Sequence, residues 1–205
     1  VSVGVYVVRT GTANLASVLA ALERVGAACA LTDDPEAVRH AERVVLPGVG
    51  AFAAAIDALR DRGLDAALRE RIEAGRATLG ICLGLQLFFE ASDESPGAVG
   101  LGLLPGTVRR FSGAGGVRIP QLGWNRVEPD SGCALLTAGY AYFANSYRVD
   151  AVPEGWRAAY TPHGERFVAA FERGRVLACQ FHPELSGAWG HDLLRRWLSA
   201  GDCGC

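Results

Sequence analysis

The chain has 205 residues, with 20 Lys and Arg against 22 Asp and Glu and a formal net charge of -2. That length fills one substantial core, and the near balance of charge gives no reason to expect a nucleic-acid or anionic-membrane partner. No apolar run approaches the ~18 residues of a membrane span, and the apolar start at Val1 lacks a basic leader and a cleavage pattern, so a soluble cytoplasmic protein is expected.

Val3-Gly4-Val5-Tyr6-Val7-Val8 is an apolar run of strand length, followed by the loop Gly11-Thr12-Ala13-Asn14. Apolar residues at 15, 18, 19, 22 and 25 then recur at helical spacing until Gly26 stops them. A strand over Ala27 to Leu31 follows, and Asp33-Asp34-Pro35 opens a short helix ending near His40. Arg43 to Leu46 reads as a buried strand broken by Pro47-Gly48-Val49-Gly50. Phe52, Ile56 and Leu59 share one helical face, and Leu64, Leu68 and Ile72 another. Ala77 to Ile81 is the next strand and Leu83 to Phe89 the next helix. Strand and helix alternating at these lengths predict an α/β fold, an open and mostly parallel sheet flanked by helices.

Residues 92–118 change character, being rich in Gly, Pro and Ser, with only Thr107 to Phe111 extended. Strands are expected at Trp124 to Val127, Tyr140 to Tyr147, Trp156 to Tyr160, Phe167 to Phe171 and Val176 to Phe181, and a closing helix at Leu193 to Leu198. With no internal repeat and no low-complexity linker, residues 1–205 are expected to form one domain in which β hairpins elaborate the α/β core.

Six cysteines, at 29, 82, 133, 179, 203 and 205, include no CxxC pair and make no secreted disulfide framework. Cys29 and Cys179 lie in apolar stretches and read as small buried hydrophobes, and Cys203-Gly204-Cys205 as a frayed reduced terminus. His163 and His191 belong to no cluster with metal-ligand spacing, so no metal is expected.

Cys82 differs from the other cysteines. Gly80-Ile81-Cys82-Leu83-Gly84 places its thiol between two glycines, after a strand and before a helix, where the turn projects the sulfur and helix N–H groups favour thiolate. His182-Pro183-Glu184 follows the clearest late strand. An imidazole there can move a proton near neutrality, and the acid two residues on can fix its tautomer. Alone, Cys82 could be a buried packing residue and the His-Pro-Glu run a strand-end loop with a capping acid. Together they read as a Cys-His-Glu arrangement. The glycine-rich Pro47-Gly48-Val49-Gly50 loop can turn amides toward an oxyanion beside Cys82, with the Leu83 amide as second donor. It lacks the spacing and lysine of a phosphate-binding loop, and the early Gly11 loop fails the dinucleotide pattern. Trp124, Tyr140, Tyr142, Phe143, Tyr147 and Trp156 gather aromatic area, mostly as core, with some available to a partner surface.

Pro47-Gly48-Val49-Gly50, Gly80-Ile81-Cys82-Leu83-Gly84-Leu85-Gln86 and Gln180-Phe181-His182-Pro183-Glu184 resemble, in order and spacing, the motifs of class I, or triad-type, glutamine amidotransferases. Asn14-Leu15-Ala16-Ser17-Val18, Gly100-Leu101-Gly102-Leu103 and Pro120-Gln121-Leu122-Gly123-Trp124-Asn125 are most similar to the glutaminase subunits of imidazole glycerol phosphate synthase within that family. The resemblance covers nearly the whole chain. It implies Cys82 as nucleophile, His182 as base and Glu184 as its orienter, with Val49 and Leu83 backbone amides as the oxyanion hole. It implies a glutamine pocket from Gly48, Gly50, Gln86, Glu94, Ser146 and Tyr147, and Trp124 and Asn125 near a partner. That partner would be a (β/α)8-barrel cyclase subunit of histidine biosynthesis receiving ammonia, and no metal or organic cofactor is required. Arg9 and Thr10, Gln121-Leu122 and Asn145 depart from the family pattern without touching the triad. A glutaminase subunit serving another synthase, or a noncatalytic regulatory subunit, stays open as an alternative at this point.

Overall fold

The computed structural model describes residues 3–10 and 14–201. Most of the early loop, Gly11 to Ala13, and the Cys203-Gly204-Cys205 tail lie outside the described residues. In chain order the elements are β1 (Val3–Val8), α1 (Leu15–Arg24), β2 (Ala27–Thr32), α2 (Pro35–His40), β3 (Arg43–Gly48), α3 (Phe52–Arg60), α4 (Leu64–Glu73), β4 (Thr78–Cys82) and α5 (Leu83–Gln86). They continue with β5 (Phe89–Ser92), β6 (Leu104–Arg110), β7 (Gln121–Pro129), β8 (Gly139–Asn145), β9 (Tyr147–Arg148), β10 (Arg157–His163), β11 (Glu165–Arg173), β12 (Val176–Cys179) and α6 (Gly187–Ser199).

A nine-stranded sheet runs β2-β1-β3-β4-β12-β11-β10-β7-β8. The first five strands are mutually parallel, and the hairpins β10/β11 and β7/β8 extend the sheet antiparallel. β5, β6 and β9 form a small second sheet. Every residue of β3, β4 and β12 is buried, as parallel strands covered on both faces must be. Val18 and Leu22 of α1 join Leu193 and Trp197 of α6 in the core on one face. Phe52 and Ile56 of α3 join Leu64 and Leu68 of α4 in the core on the other. The helices begin where capping chemistry allows. Asn14 Oδ1 accepts from Ser17 N at 3.4 Å, and Asp34 Oδ1 accepts from Glu36 N at 3.0 Å with Pro35 at the first helical position. Among the described residues, no helix is long and apolar enough to cross a membrane.

Three elements depart from their sequence pattern. β3 is not broken at Pro47 but runs on, Pro47 opposite Ile81 and Gly48 opposite Cys82. β1 pairs with β3 only as far as Val45, so at Pro47 the strand has a free side where a missing N–H breaks no ladder. The helix after Cys82 is one turn long rather than reaching Phe89. Phe88 and Phe89 are drawn into edge-on packing with Phe171, and the Phe88 carbonyl accepts from Leu103 and Leu104 N, so burial of two rings overrides helical spacing. The expected strand from Tyr140 to Tyr147 splits at Ser146, where β8 leaves the large sheet and β9 joins β6.

Candidate active site

Cys82 closes β4 at φ 56°, the one non-glycine residue with positive φ among the described residues. Such backbone costs energy and persists only where its surroundings fix it, as in a nucleophile elbow. The surroundings here are glycines. A Cβ on Gly84 would stand 2.0 Å from Leu46 O, and one on Gly80 3.0 Å from Gly84 O, so α5 is seated directly on the sheet. Parallel pairing of Gly48 with Cys82 brings the Pro47 to Gly50 loop beside the thiol. Being one turn long, α5 supplies less of a dipole than the predicted helix would.

His182 lies three residues beyond the end of β12, at the same edge of the sheet as Cys82, where open α/β sheets collect their ligands. Its backbone is fixed on both sides. His182 N donates to Tyr142 O at 2.9 Å, and Ser186 Oγ donates to His182 O at 2.6 Å. Its Nδ1 is 2.8 Å from Glu184 Oε1, and its ring and Cys82 line the same cavity. A carboxylate can only accept, so Nδ1 carries the proton and Nε2 is left for the sulfur. Burial, the largest single influence, lowers the basicity of His182. The hydrogen bonds to Cys82 and Glu184, with their negative charge, outweigh it and carry the imidazole up to about 10. Cys179 contrasts with Cys82. Complete burial pushes its thiol well above the ordinary range, and Glu184 and Cys82 push it the same way.

Cys82 and His182 open on a cavity of ≈ 360 Å³ whose walls include Val49, Gly50, Leu83, Gln86, Glu94, Ser146 and Tyr147. Residues from five separate segments, each singled out in the sequence, therefore meet in one place. Gly48 is the exception. It lies behind the cavity, against a narrow space shared with Asn14, Pro47, His182 and Glu184. Glu94 Oε2 accepts from Phe52 N at 2.7 Å and Ser95 Oγ from Ala53 N at 3.2 Å, which ties one wall to the first turn of α3. The opposite wall is held by Glu165. Its carboxylate accepts from Ser112 N and Oγ at 3.0 and 3.1 Å and pairs with Arg148, next to Tyr147. The hydrogen bonds from Arg148 and Ser112 pull Glu165 down to about 2.

Two residues of the site escaped sequence reading. Gln180 is fully buried, its Nε2 3.6 Å from Cys82 Sγ and its Oε1 accepting from Gln86 Nε2 at 2.9 Å. In the sequence it stood inside the Gln180-Phe181-His182-Pro183-Glu184 motif with no role of its own. Asn145 also lines the cavity, and its register partner across β7 and β8 is Gln121, so two of the departures from the family pattern face each other. On the outer face of the same hairpin Leu122, Trp124 and Tyr140 are 63%, 57% and 60% exposed, an apolar patch open to a partner. Asn125, on the other face of β7, is tied to the Pro162 carbonyl.

Comparison with known proteins gives this geometry a family. Residues 10–199 match the model for the glutamine amidotransferase class-I family. The imidazole glycerol phosphate synthase subunit HisH of Symbiobacterium thermophilum is 44% identical over 197 residues, 94% of this chain and 92% of that one. The HisH subunit of Herpetosiphon aurantiacus is 42% identical over 95% of this chain and 93% of its own. A longer Arabidopsis thaliana protein, imidazole glycerol phosphate synthase hisHF, chloroplastic, is 40% identical over 92% of this chain, a match covering 33% of that protein. Among solved structures, a glutamine amidotransferase superposes with a TM-score of 0.74 at 23% identity, covering 95% of this chain and 96% of that one, and supports the fold. By family model and by full-length relatives, the chain belongs to the class I glutamine amidotransferases, in the group of imidazole glycerol phosphate synthase HisH subunits.

Proposed function

We propose that this chain, as one amidotransferase domain, hydrolyses glutamine through Cys82, His182 and Glu184 and hands the ammonia to a (β/α)8-barrel cyclase subunit that makes imidazole glycerol phosphate. The observation that carries the reading is the buried His182 Nδ1 and Glu184 Oε1 contact of 2.8 Å beside Cys82, with Cys82 and His182 opening on one cavity of ≈ 360 Å³. Glutamine enters with its side-chain carbonyl toward Cys82 and its amino-acid end between Glu94 and the Ser146-Tyr147 segment. The Cys82 thiolate attacks the carbonyl carbon, and the Val49 and Leu83 amides stabilise the oxyanion. His182 donates its proton to the departing nitrogen, leaving ammonia and a glutamyl thioester. Neutral His182 then takes a proton from water, whose oxygen displaces the thiolate and releases glutamate. Glu184 holds the imidazole in the required tautomer throughout.

Ammonia is useful to the acceptor only before it becomes ammonium, so a sealed contact with the cyclase is favoured over release into bulk. The exposed Leu122, Trp124 and Tyr140 patch supports such a heterodimer contact. The Arabidopsis relative, of which this chain matches only a third, supports a partner acting in physical contact. The working compartment is the cytoplasm, and no nucleic acid or membrane takes part. Hydrolysis by the subunit alone would waste glutamine, so the Pro47 to Gly50 loop, with Gly50 at φ 101°, is the control point that turns an amide inward when the loaded cyclase docks. Steady-state glutamate release is measured for the chain alone, with cyclase, and with cyclase plus its ribotide. Activity is weak alone, rises with both additions and disappears in Cys82→Ala. Equal hydrolysis by Cys82→Ala and the parent, or full activity without partner, overturns the reading.

A further inference from the structure

We propose that Gln180 is a further catalytic residue of this site, an amide clamp that donates a hydrogen bond to the Cys82 sulfur and is itself aimed by Gln86. The inference deepens the hydrolytic reading above and rests on it for the sulfur's role, while the clamp itself rests on three contacts. Gln180 Nε2 is 3.6 Å from Cys82 Sγ, an ordinary separation for an N–H donor on an atom as large as sulfur. Gln180 Oε1 accepts from Gln86 Nε2 at 2.9 Å. Gln180 N donates to Ala169 O at 2.8 Å, anchoring its backbone to β11. The orientation follows from chemistry. With Gln86 Nε2 donating to Gln180 Oε1, the Gln180 NH2 group is left toward the sulfur, which can accept from it. Gln180 is 0% exposed and cannot exchange its partner for water, while Gln86, 5% exposed, meets the cavity.

The clamp fills a need that the local backbone leaves open. The single-turn α5 lends Cys82 a weak dipole, so the sulfur's negative charge depends on side chains. The charged or titratable groups near it are His182 and Glu184 on one side, Cys179 on β12 and Glu94 across the cavity. His182 alone offers a positive charge, and it must surrender its proton during turnover. When the thiolate is expelled in thioester hydrolysis, His182 holds the proton taken from water and Gln180 still donates, so the sulfur keeps two partners. Because Gln86 also lines the cavity, a ligand that displaces its amide loosens the clamp, linking occupancy of the pocket to the state of the sulfur.

The test is the pH profile of iodoacetamide alkylation at Cys82, followed by peptide mass analysis on the full isolated chain, beside thermal melting. Gln180→Met removes the donor at similar volume. Its profile moves to higher pH, with alkylation at neutral pH slowed about tenfold, the usual scale for a hydrogen bond to a charged group. Gln86→Met leaves the donor but frees its orientation, and moves the profile the same way by a smaller factor. It also serves if Gln180→Met does not fold. A folded variant at position 180 or 86 whose profile coincides with the parent's overturns the clamp. Because alkylation needs neither glutamine nor cyclase, this outcome is separate from the hydrolytic reading, which fails instead if the parent with loaded cyclase releases no glutamate.

Discussion

Gly84 packs against Leu46 so closely that a Cβ at Gly84 would stand 2.0 Å from the Leu46 carbonyl oxygen. The contact seats α5 on β3 and sets the elbow from which Cys82 projects. A missing side chain, rather than a present one, fixes the position of Cys82.

Gly84→Ala therefore forces β3 and α5 apart. Overpacking of this kind destabilises by about 1–3 kcal/mol or more, and glutamine hydrolysis falls further than stability does because the elbow moves. Gly4→Ala, where a Cβ meets nothing within 4 Å, changes neither. Urea midpoints and glutamate release for the two variants check the contrast, and equal behaviour contradicts the seating role.

Glu184→Gln keeps the shape of the acid while removing the charge that supports the His182 imidazolium. Hydrolysis in the assembled complex falls by about 10²–10⁴-fold with the fold retained. The same change alters the response to pH. The folded imidazole titrates up to about 10, above the ordinary 6.5, so its contribution to stability is whole below about 6.5 and is lost as pH rises through about 10. Urea midpoints at pH 7 and pH 10 should separate more in the parent than in Glu184→Gln.

Glu165 titrates the other way. Arg148 and Ser112 hold it down to about 2 from an ordinary 4.5, so its contribution is present above 4.5 and is lost as pH falls through about 2. At neutral pH, Glu165→Gln slackens the wall carrying Ser146 and Tyr147. Since the group is a quarter exposed, the effect is about 1 kcal/mol, read as a roughly fivefold higher KM for glutamine with little change in kcat. A fall in kcat at unchanged KM would place Glu165 in the chemistry instead.

Arg71 is 1% exposed and meets no carboxylate in its hydrogen bonds: it donates to Thr78 Oγ1 at 2.9 Å and to the carbonyls of Val38, Ala41 and Ala77. Burial, helped by Arg76 and Arg175, lowers its basicity to about 10, which still leaves it charged at neutral pH. Arg71→Met orphans those acceptors and destabilises by about 3 kcal/mol. Urea unfolding measures the loss. Far from the cavity, the variant keeps its KM for glutamine in the assembled complex.

The alternation of strand and helix as far as β4, the helix start at Asp33-Asp34-Pro35, and the Cys82 and His182 motifs were legible because each is local. Periodicity, caps and strand-to-helix turns act within a few residues, and the chain writes them in order. Three features belonged to the tertiary structure alone. Phe88 and Phe89 left a helical pattern because ring burial against Phe171 outweighs one turn of helix. Pro47 stayed in a strand because its neighbour β1 stops at Val45, which no property of Pro47 reveals. Gln180 became part of the site because β12 lies beside β4, bringing residues 98 positions apart into contact. Sequence named the groups able to do the chemistry; the order of strands in the sheet decided which of them touch, because contact across a sheet depends on pairing and register, and these are set by burial of the whole core.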